Sequence, residues 1–257
     1  MNKFYIGATP IGGLHDVTKR TLDIVKVADY IVCELIPIVK QTVENGKWET
    51  NAEYLEYCVD FTGGSETSGN RNSEGKSHGS TSVDGIKEKI FELIKDGKTM
   101  IYLPERGSVG IEDPGLDLKQ FLEDRGVVVE LLPGVDSVTS SLLSSKIFPT
   151  PESHRAWSFQ PIVDLSFEQM DKFIGQYSSS PNVLIFQVHD PEMFDAISLM
   201  KKHYGPNREI SICMNVSLGD EIIHKSTIGE VLENFDIKKY EQHYTTIVVA
   251  GQNIWPA

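Results

Sequence analysis

The sequence predicts an α/β protein whose strands form mostly parallel sheets. Short apolar runs of strand length alternate along the chain with longer segments whose apolar residues recur at helical spacing, a pattern typical of βαβ units. Several runs are apolar throughout, as expected for strands buried on both faces of a parallel sheet. The 257 residues suffice for one large or two ordinary domains.

The alternation starts at the amino terminus. Residues 4–7 and 30–33 are predicted strands, and each is followed by a helix, the first capped by Thr18. Asp84 is expected to cap a third helix. Further strands are predicted at 100–103, 127–132, 157–160, 182–187, 209–214 and 245–250, and further helices after Gly115 and Ser137, at 167–177, after Pro191 and at 228–235.

Two stretches interrupt this pattern. Residues 61–82 are mostly Gly, Ser, Thr, Asn and Glu with almost no apolar side chain, so they cannot bury enough surface to offset their ordering entropy. We predict a flexible insertion, either merely tolerated or acting as a lid over a nearby site. The proline-rich segment 148–153 marks the expected boundary between an N-terminal α/β domain, 1–150, and a C-terminal α/β domain, 151–257.

Composition limits the function classes. The formal net charge is −13, and the 24 Lys and Arg residues are scattered without a basic stripe, which argues against strong non-specific binding of nucleic acid. The three cysteines show no CxxC spacing, which is typical of reduced thiols in a cytoplasmic protein. Cysteines and histidines lack the spacing of a metal site, and no apolar run approaches the length of a membrane span.

The loop after the strand at 100–103 is the main candidate site. Strand, glycine-rich loop and helix follow one another here, and open α/β sheets bind ligands at the carboxyl ends of their strands. A structural turn needs the glycines and prolines but not the four charged residues Glu105, Arg106, Glu112 and Asp113. We therefore interpret the loop as functional, although Asp113, which precedes Pro114, is expected to be a turn residue.

A second candidate is the turn at Pro133. The sequence Pro133-Gly-Val-Asp-Ser137 is predicted to begin a helix with Asp136 or Ser137 as its cap. The free N–H groups of such a helix start suit a carboxylate or another polar ligand.

These motifs, in this order, resemble the tetrapyrrole methylase superfamily, the class III S-adenosylmethionine-dependent methyltransferases. The chain is most similar to the branch that methylates a ribose 2′-hydroxyl in small-subunit ribosomal RNA. The resemblance extends from Tyr5 to Gly251. The motifs are Thr9-Pro-Ile-Gly12 with Asp16, Ala28-Asp29 with Cys33-Glu34, Gly110-Ile-Glu-Asp-Pro-Gly115, and Leu132-Pro-Gly134 with Ser137.

The resemblance implies two α/β domains, S-adenosyl-L-methionine in the cleft between them, and a homodimer. It also implies that the cofactor lies beside three loops of the first domain, and that Val188 and Val216 flank the adenosine. The cofactor residues expected on this basis are Pro10, Leu103, Pro104, Glu105, Arg106, Gly107, Ser108, Pro133, Asp136, Ser137, Val188 and Val216.

Three departures concern the methyl acceptor. The ribosomal branch usually has Glu-Asp-Thr-Arg where this chain has Glu34-Leu-Ile-Pro37, and Ser-Asp-Ala-Gly-Thr-Pro-Gly where it has Pro104-Glu-Arg-Gly-Ser-Val-Gly110. The basic residues expected after Phe159 are replaced by Gln160-Pro-Ile-Val-Asp164. The first and third changes remove polarity or positive charge. We therefore predict an acceptor other than bulk RNA, a peptide or a small molecule, with the ribosomal RNA 2′-hydroxyl and a non-catalytic binding protein as alternatives.

Methyl transfer is an in-line displacement that requires alignment and, for a weakly acidic acceptor, a nearby proton acceptor. Glu34 is the first candidate because it ends a strand, although a solvated strand terminus is the alternative interpretation. Asp16 is the second, and Glu105, Glu112 and His15 follow. Arg106 can pair with the cofactor carboxylate or a substrate anion, or with Glu105 or Glu112.

Overall fold

The computed structural model describes residues 3–58, 67–68, 81–110, 113–148, 156–162, 165–188, 190–236 and 245–251. The chain divides into two compact units, Met1–Asp136 and Ser137–Ala257. The boundary expected near residue 150 therefore lies inside the second unit. The helix after the Pro133 turn belongs to that unit because it packs on the second sheet, where Cys213 Sγ lies 3.7 Å from the carbonyl oxygen of Ser141.

The first unit contains a five-stranded sheet in which every strand pair is parallel. Its strands are β1 (Lys3–Ile6), β2 (Tyr30–Cys33), β3 (Glu53–Glu56), β6 (Met100–Tyr102) and β7 (Val128–Leu131), while β4 (Thr67–Ser68) and β5 (Thr81–Ser82) form a separate antiparallel pair. The order across the sheet is β3-β2-β6-β1-β7. The predicted parallel sheet is confirmed, and β6 at its centre precedes the charged loop.

Within the described ranges of this unit, four helices cover the sheet: α1 (Lys19–Val27), α2 (Ile36–Asn45), α3 (Val83–Lys95) and α4 (Gly115–Glu123). The Thr18 hydroxyl accepts a hydrogen bond from the Thr21 amide, so the predicted cap of α1 is confirmed. The cap of α3 is Ser82, whose hydroxyl accepts from the Gly85 amide at 3.1 Å, and the assignment of this role to Asp84 was wrong. Ser82 has the extended backbone that an N-cap needs, whereas Asp84 already lies in the first turn.

Side chains alternate between the two faces of the sheet and form a core on each. Val32 and Tyr102 pack with α3 and α4 residues on one face, whereas Ile31, Cys33 and Leu103 pack on the other. The ends of β2 and β6 thus present neighbouring residues to opposite faces.

The second unit contains a mixed five-stranded sheet. Its strands are β8 (Trp157–Pro161), β9 (Val183–Val188), β10 (Glu209–Met214), β11 (Ile222–Thr227) and β12 (Thr245–Val249), and its helices are α5 (Ser137–Ser144), α6 (Phe167–Gln176), α7 (Asp190–Tyr204) and α8 (Ile228–Asn234). The order is β11-β10-β12-β9-β8. Only β8 and β9 pair in parallel, and β12 runs antiparallel to both of its neighbours.

The predicted insertion is only partly described. Its residues 61–66 and 69–80 lie outside the described residues, so its flexibility stays a prediction. The described helices include none that is long and apolar enough to cross a membrane.

Candidate active site

Backbone hydrogen bonds join the loops that follow β1 and β6. The Thr9 amide donates to the Gly107 carbonyl at 2.9 Å, and the Gly107 amide returns a bond to the Thr9 carbonyl at 3.1 Å. The Thr9 hydroxyl also donates to the Pro104 carbonyl at 3.1 Å. Because both strands are parallel, their loops lie at one edge of the sheet, and these bonds hold Pro10 beside the charged loop.

Glycines allow the loop after β7 to approach the other two. A Cβ on Gly134 would lie 2.2 Å from the Cβ of Ala8, and Gly107, at φ +75°, would place a Cβ 3.0 Å from Ile11 Cγ2. Ser108 Oγ donates to the Val135 carbonyl at 3.0 Å. We call residues 8–10, 103–108 and 132–136 the loop cluster. It contains all the cofactor residues predicted in the first unit, and Ser137 follows it directly as the first residue of α5.

Burial separates two roles within the loop cluster. Pro10, Leu103, Pro104 and Gly107 are buried, so their side chains form the base of the loops. A ligand could contact the side chains that are less buried. These are the half-buried Glu105, Ser108 and Asp136 and the exposed Arg106 and Pro133.

Acidic residues gather where β2, β3 and β6 end. Glu34 follows β2, Glu56 ends β3, and Glu105 and Asp113 belong to the loop after β6. Together with Cys33 and Tyr102, which the register places on adjacent strands, we call these residues the acidic strand end. The Cys58 thiol lies 3.9 Å from Glu34 Oε1 at its border.

Burial raises the pKa of Cys33, Glu56, Tyr102, Glu105 and Asp113 in the acidic strand end. Burial raises the pKa of Asp113 to about 6, against the hydrogen bond from the Gly115 amide that favours the carboxylate. Burial and the nearby Asp113 raise the pKa of Glu105, while Arg106 opposes this change. Burial also raises the pKa of Glu56, and burial with the charges of Glu56 and Glu105 raises the pKa of Cys33 to about 12.

Tyr102 is the feature that sequence reasoning missed. Its side chain is 0% exposed, and its hydroxyl shares a hydrogen bond with the carboxyl group of Asp113. Burial and the charges of Asp113 and Glu34 raise its pKa. The available signal was a tyrosine in an otherwise aliphatic strand immediately before the charged loop.

The predicted proton acceptors occupy different environments. Glu34 is half-buried in the acidic strand end, whereas Asp16 is exposed in a turn closed by its own amide, which donates to the Gly13 carbonyl at 2.8 Å. Asp113 has the expected turn role, since Oδ1 accepts from the Gly115 amide at 2.7 Å, but its raised pKa also makes it a candidate base. Glu112 lies outside the described residues. His15 is exposed and lines a surface cavity of about 330 Å³ that also involves Trp48.

In the second unit, Val188 and Met214 end β9 and β10 and both pair with Thr245, so they lie at one edge of the mixed sheet. Val216 follows in a turn whose neighbours, Asn215 and Ser217, have φ values of 50° and 68°. The structure thus brings the two predicted adenosine-flanking positions to the same edge.

Two acceptor atoms near this edge have no partner. Gln187 Oε1, beside Val188, and Glu192 Oε2, in the first turn of α7, are buried and lack a hydrogen bond among the residues that the structure describes. Buried acceptors are normally satisfied. Ribose hydroxyl or amino groups of a nucleoside would satisfy them, so these residues fit the adenosine of S-adenosylmethionine.

Groups of His, Cys, Asp and Glu that could hold a metal ion are absent from the described ranges.

A parallel α/β sheet with packed loops at its carboxyl edge defines the class of open α/β proteins, which bind their ligands at that edge. Over residues 3–232 the chain matches the family described as Tetrapyrrole (Corrin/Porphyrin) Methylases, and it belongs to this family. It is therefore an S-adenosylmethionine-dependent methyltransferase, and the family resemblance inferred from the sequence motifs is confirmed.

Two relatives are each named "Ribosomal RNA small subunit methyltransferase I". The protein from Bacillus subtilis (strain 168) is 26% identical over 233 residues, which are 90% of this chain and 70% of that protein. The protein from Mycoplasmopsis pulmonis (strain UAB CTIP) is 24% identical and covers 91% of each chain.

Solved structures support the same fold. The methyltransferase CobJ superposes with a TM-score of 0.67 at 13% identity, covering 100% of this chain and 97% of that one. Uroporphyrin-III C-methyl transferase from Thermus thermophilus, complexed with S-adenyl homocysteine, gives a TM-score of 0.60 at 17% identity and covers 96% and 97% of the two chains. At these identities the likeness establishes the two-sheet α/β architecture and not the acceptor.

Proposed function

We propose that this methyltransferase acts on an acceptor other than bulk ribosomal RNA, either a peptide or a small molecule. The acidic strand end carries the proposal. Carboxylates at the carboxyl edge of the first sheet, in a chain of net charge −13, repel the phosphates of RNA where the acceptor is expected.

The proposed cofactor contacts are the loop cluster and the two buried acceptors without a partner, Gln187 Oε1 and Glu192 Oε2. Arg106 offers donors to the carboxylate of the cofactor, and Gln187 and Glu192 offer acceptors to its adenosine. When bound, S-adenosylmethionine supplies a methyl group activated by its sulfonium.

The acidic strand end supplies the proton acceptor. A base works best when its pKa lies near the working pH, and the pKa of about 6 makes Asp113 better suited than an ordinary carboxylate. Glu34 and Glu105 lie beside it as the other candidates. The buried Leu103 and Pro104 exclude water from the base of the loop.

Methylation of a ribosomal RNA 2′-hydroxyl is the alternative, and the names of the sequence relatives favour it. A labelling experiment distinguishes the two acceptors. Source-cell lysate is incubated with the enzyme and methyl-tritiated S-adenosylmethionine, then split into RNA, protein and small-molecule fractions. We expect label outside the RNA and weak, salt-sensitive binding to naked small-subunit RNA. Label concentrated in that RNA, with sub-micromolar affinity at physiological salt, would establish the alternative.

Arg106→Gln tests the cofactor assignment. We expect the variant to melt like the parent, since exposed substitutions usually change stability by less than about 0.5 kcal/mol. A lost charge-assisted hydrogen bond should weaken S-adenosylhomocysteine binding about tenfold in calorimetry. Arg20→Gln, which removes an exposed arginine paired with Glu130, is the matched control and should bind like the parent. Equal affinities for both variants would remove Arg106 from the cofactor site.

We further propose a homodimer in the cytoplasm. Exposed Leu143, Phe148 and Trp157 in the second unit support association, and the thiols of Cys33 and Cys213, which form no disulfide among the described residues, support a reducing compartment. A monomeric mass by light scattering at micromolar concentration would contradict the dimer, and secretion of the native protein would contradict the location.

A further inference from the structure

The surface cavity of the first unit that involves Trp48 shares no residue with the loop cluster. Its side chains come from the loop before α1, from α1 itself and from the segment between α2 and β3. We call it the Trp48 cavity. Its volume of about 330 Å³ lies within the range of small-molecule sites, which begins at about 300 Å³.

The most buried side chain that lines the Trp48 cavity is the indole. Trp48 is 9% exposed and belongs to the core on one face of the first sheet, where Val17 and Leu22 pack against it. Both of these residues also line the cavity, as does Leu14. An indole packs well against another flat ring, and aliphatic neighbours exclude water from such a contact. The apolar part of the cavity therefore suits a planar aromatic group.

The charge without a partner at the Trp48 cavity is positive. Both acidic side chains that line it already hold a lysine ammonium, Glu49 at 2.5 Å and Asp23 at 2.6 Å. The side chains of Lys47 and His15 form no hydrogen bond or ion pair with any described residue. An ammonium with this freedom binds a carboxylate or phosphate as a point charge, and an imidazole N–H adds a second donor.

The backbone at Lys47 is strained. α2 ends in a Schellman motif, in which the Trp48 amide donates to the Val43 carbonyl at 3.0 Å and the Lys47 amide donates to the Glu44 carbonyl at 3.1 Å. Lys47 thus occupies the left-handed position that glycine usually takes, with φ of 53°. A side chain in this conformation costs free energy that glycine would avoid. Such strain concentrates at ligand sites, where the side chain is needed.

The glycine beside this position makes room for the indole. Gly46 has φ of −74°, which every residue type can adopt. A Cβ on Gly46 would lie 2.7 Å from Trp48 Cδ1 and closer still to Nε1. The segment therefore uses its glycine to seat Trp48 and leaves the left-handed position to Lys47, so that an aromatic ring and a cation both line the cavity.

We infer that the Trp48 cavity is a second ligand site, which binds a small planar aromatic molecule carrying a carboxylate or phosphate group. The ring of the ligand packs against Trp48 and the aliphatic walls, and its anionic group accepts from the Lys47 ammonium and from His15. The inference does not rest on the identity of the methyl acceptor, because none of these residues belongs to the proposed cofactor or proton-acceptor groups.

Calorimetry with probes that differ in one property tests the ligand class. 1-Naphthylacetate is planar and anionic, 1-naphthylacetamide is planar and neutral, and 1-adamantylacetate is anionic but not planar. We expect 1-naphthylacetate to bind about tenfold more tightly than either analogue. Equal affinity for an analogue would overturn the class, and absence of 1-naphthylacetate binding would overturn the site. A parallel titration with 1-naphthyl phosphate identifies the preferred anion as the one that binds more tightly.

Lys47→Gly connects the ligand to the backbone strain. The substitution removes the ammonium and relieves the left-handed conformation, so the variant should melt at a higher temperature yet bind 1-naphthylacetate about tenfold more weakly. Lys146→Gly is the matched control, since Lys146 also has a positive φ, of 59°, in the second unit. It should melt at a higher temperature and bind like the parent. Lys47→Arg keeps the charge and should retain most of the affinity.

Two outcomes of these titrations would overturn the inference. Undiminished binding by Lys47→Gly would show that the strained lysine does not contact the ligand. Displacement of 1-naphthylacetate by S-adenosylhomocysteine would show that the probe occupies the cofactor site and that the Trp48 cavity is not a separate one.

Discussion

Gly134→Ala should lower the free energy of unfolding by about 2 kcal/mol, near the middle of the range for overpacked sites. The added Cβ would lie 2.2 Å from the Cβ of Ala8, a separation that real atoms do not reach, so the loops after β1 and β7 must move apart. Gly134 does not adopt the left-handed backbone conformation, so the cost is steric and not conformational. Because both loops belong to the loop cluster, S-adenosylhomocysteine binding should weaken by tenfold or more in calorimetry, roughly 1.4 kcal/mol.

A double-mutant cycle isolates this contact. Ala8→Gly removes the opposing methyl group, so Ala8→Gly combined with Gly134→Ala should recover most of the lost stability and affinity. Gly219→Ala is the control, since its added Cβ would have no neighbour within 4 Å and its backbone is not left-handed. Additive losses in the double variant would show that the contact between Ala8 and Gly134 does not hold the loops together.

The pattern of apolar residues predicted the positions of strands well where both faces of the strand are buried. β10 spans Glu209–Met214 as expected, because a short run rich in apolar residues, here Ile210, Ile212, Cys213 and Met214, identifies a strand covered on both faces. The same run does not reveal direction. β12 is fully buried yet antiparallel to β9 and β10, and its residues read like those of a parallel strand. The sequence therefore could not distinguish a parallel from a mixed second sheet.

The candidate site was only partly predictable for a related reason. The loop after β6 stands out through its own glycines and charges, which are local in sequence. Glu56 and Tyr102 approach it only because β2 lies between β3 and β6 in the sheet. β3 was not predicted, since Glu53-Tyr-Leu-Glu56 has two acidic residues and is too short for a clear period. Contacts that depend on sheet order cannot be read from one segment.

Asp113→Asn should make the protein more stable at pH 8 and nearly inactive. The substitution keeps an Oδ1 that can accept from the Gly115 amide, so the turn before α4 should survive. It removes the charge and the ability to take a proton, and it replaces the acceptor Oδ2 by an amide donor. Asp195→Asn, at an exposed position on α7, is the matched control and should alter neither property.

The sign of the stability change follows from proton linkage. The pKa of Asp113 rises from 3.8 to about 6 on folding, so the folded state holds its proton more tightly than the unfolded state does. Stability is therefore lost as the pH rises from about 4 to about 6, and the full loss persists above that window. A shift of roughly 2 pKa units corresponds to about 3 kcal/mol. In chemical denaturation, the variant should exceed the parent by up to that amount at pH 8 and match it at pH 4.

Loss of activity alongside this gain would identify Asp113 as the proton acceptor. A positioned base contributes roughly 100- to 10,000-fold to the rate, so tritiated methyl transfer to the accepting lysate fraction should fall by at least about 100-fold. In the parent, transfer should increase with pH through about 6 as the carboxylate forms. Greater stability with undiminished transfer would mean that the buried charge of Asp113 only destabilises the fold, and Glu34 and Glu105 would then be the bases to test. Stability gained at pH 8 at the expense of turnover is the outcome expected if an unfavourably buried carboxylate is retained for catalysis.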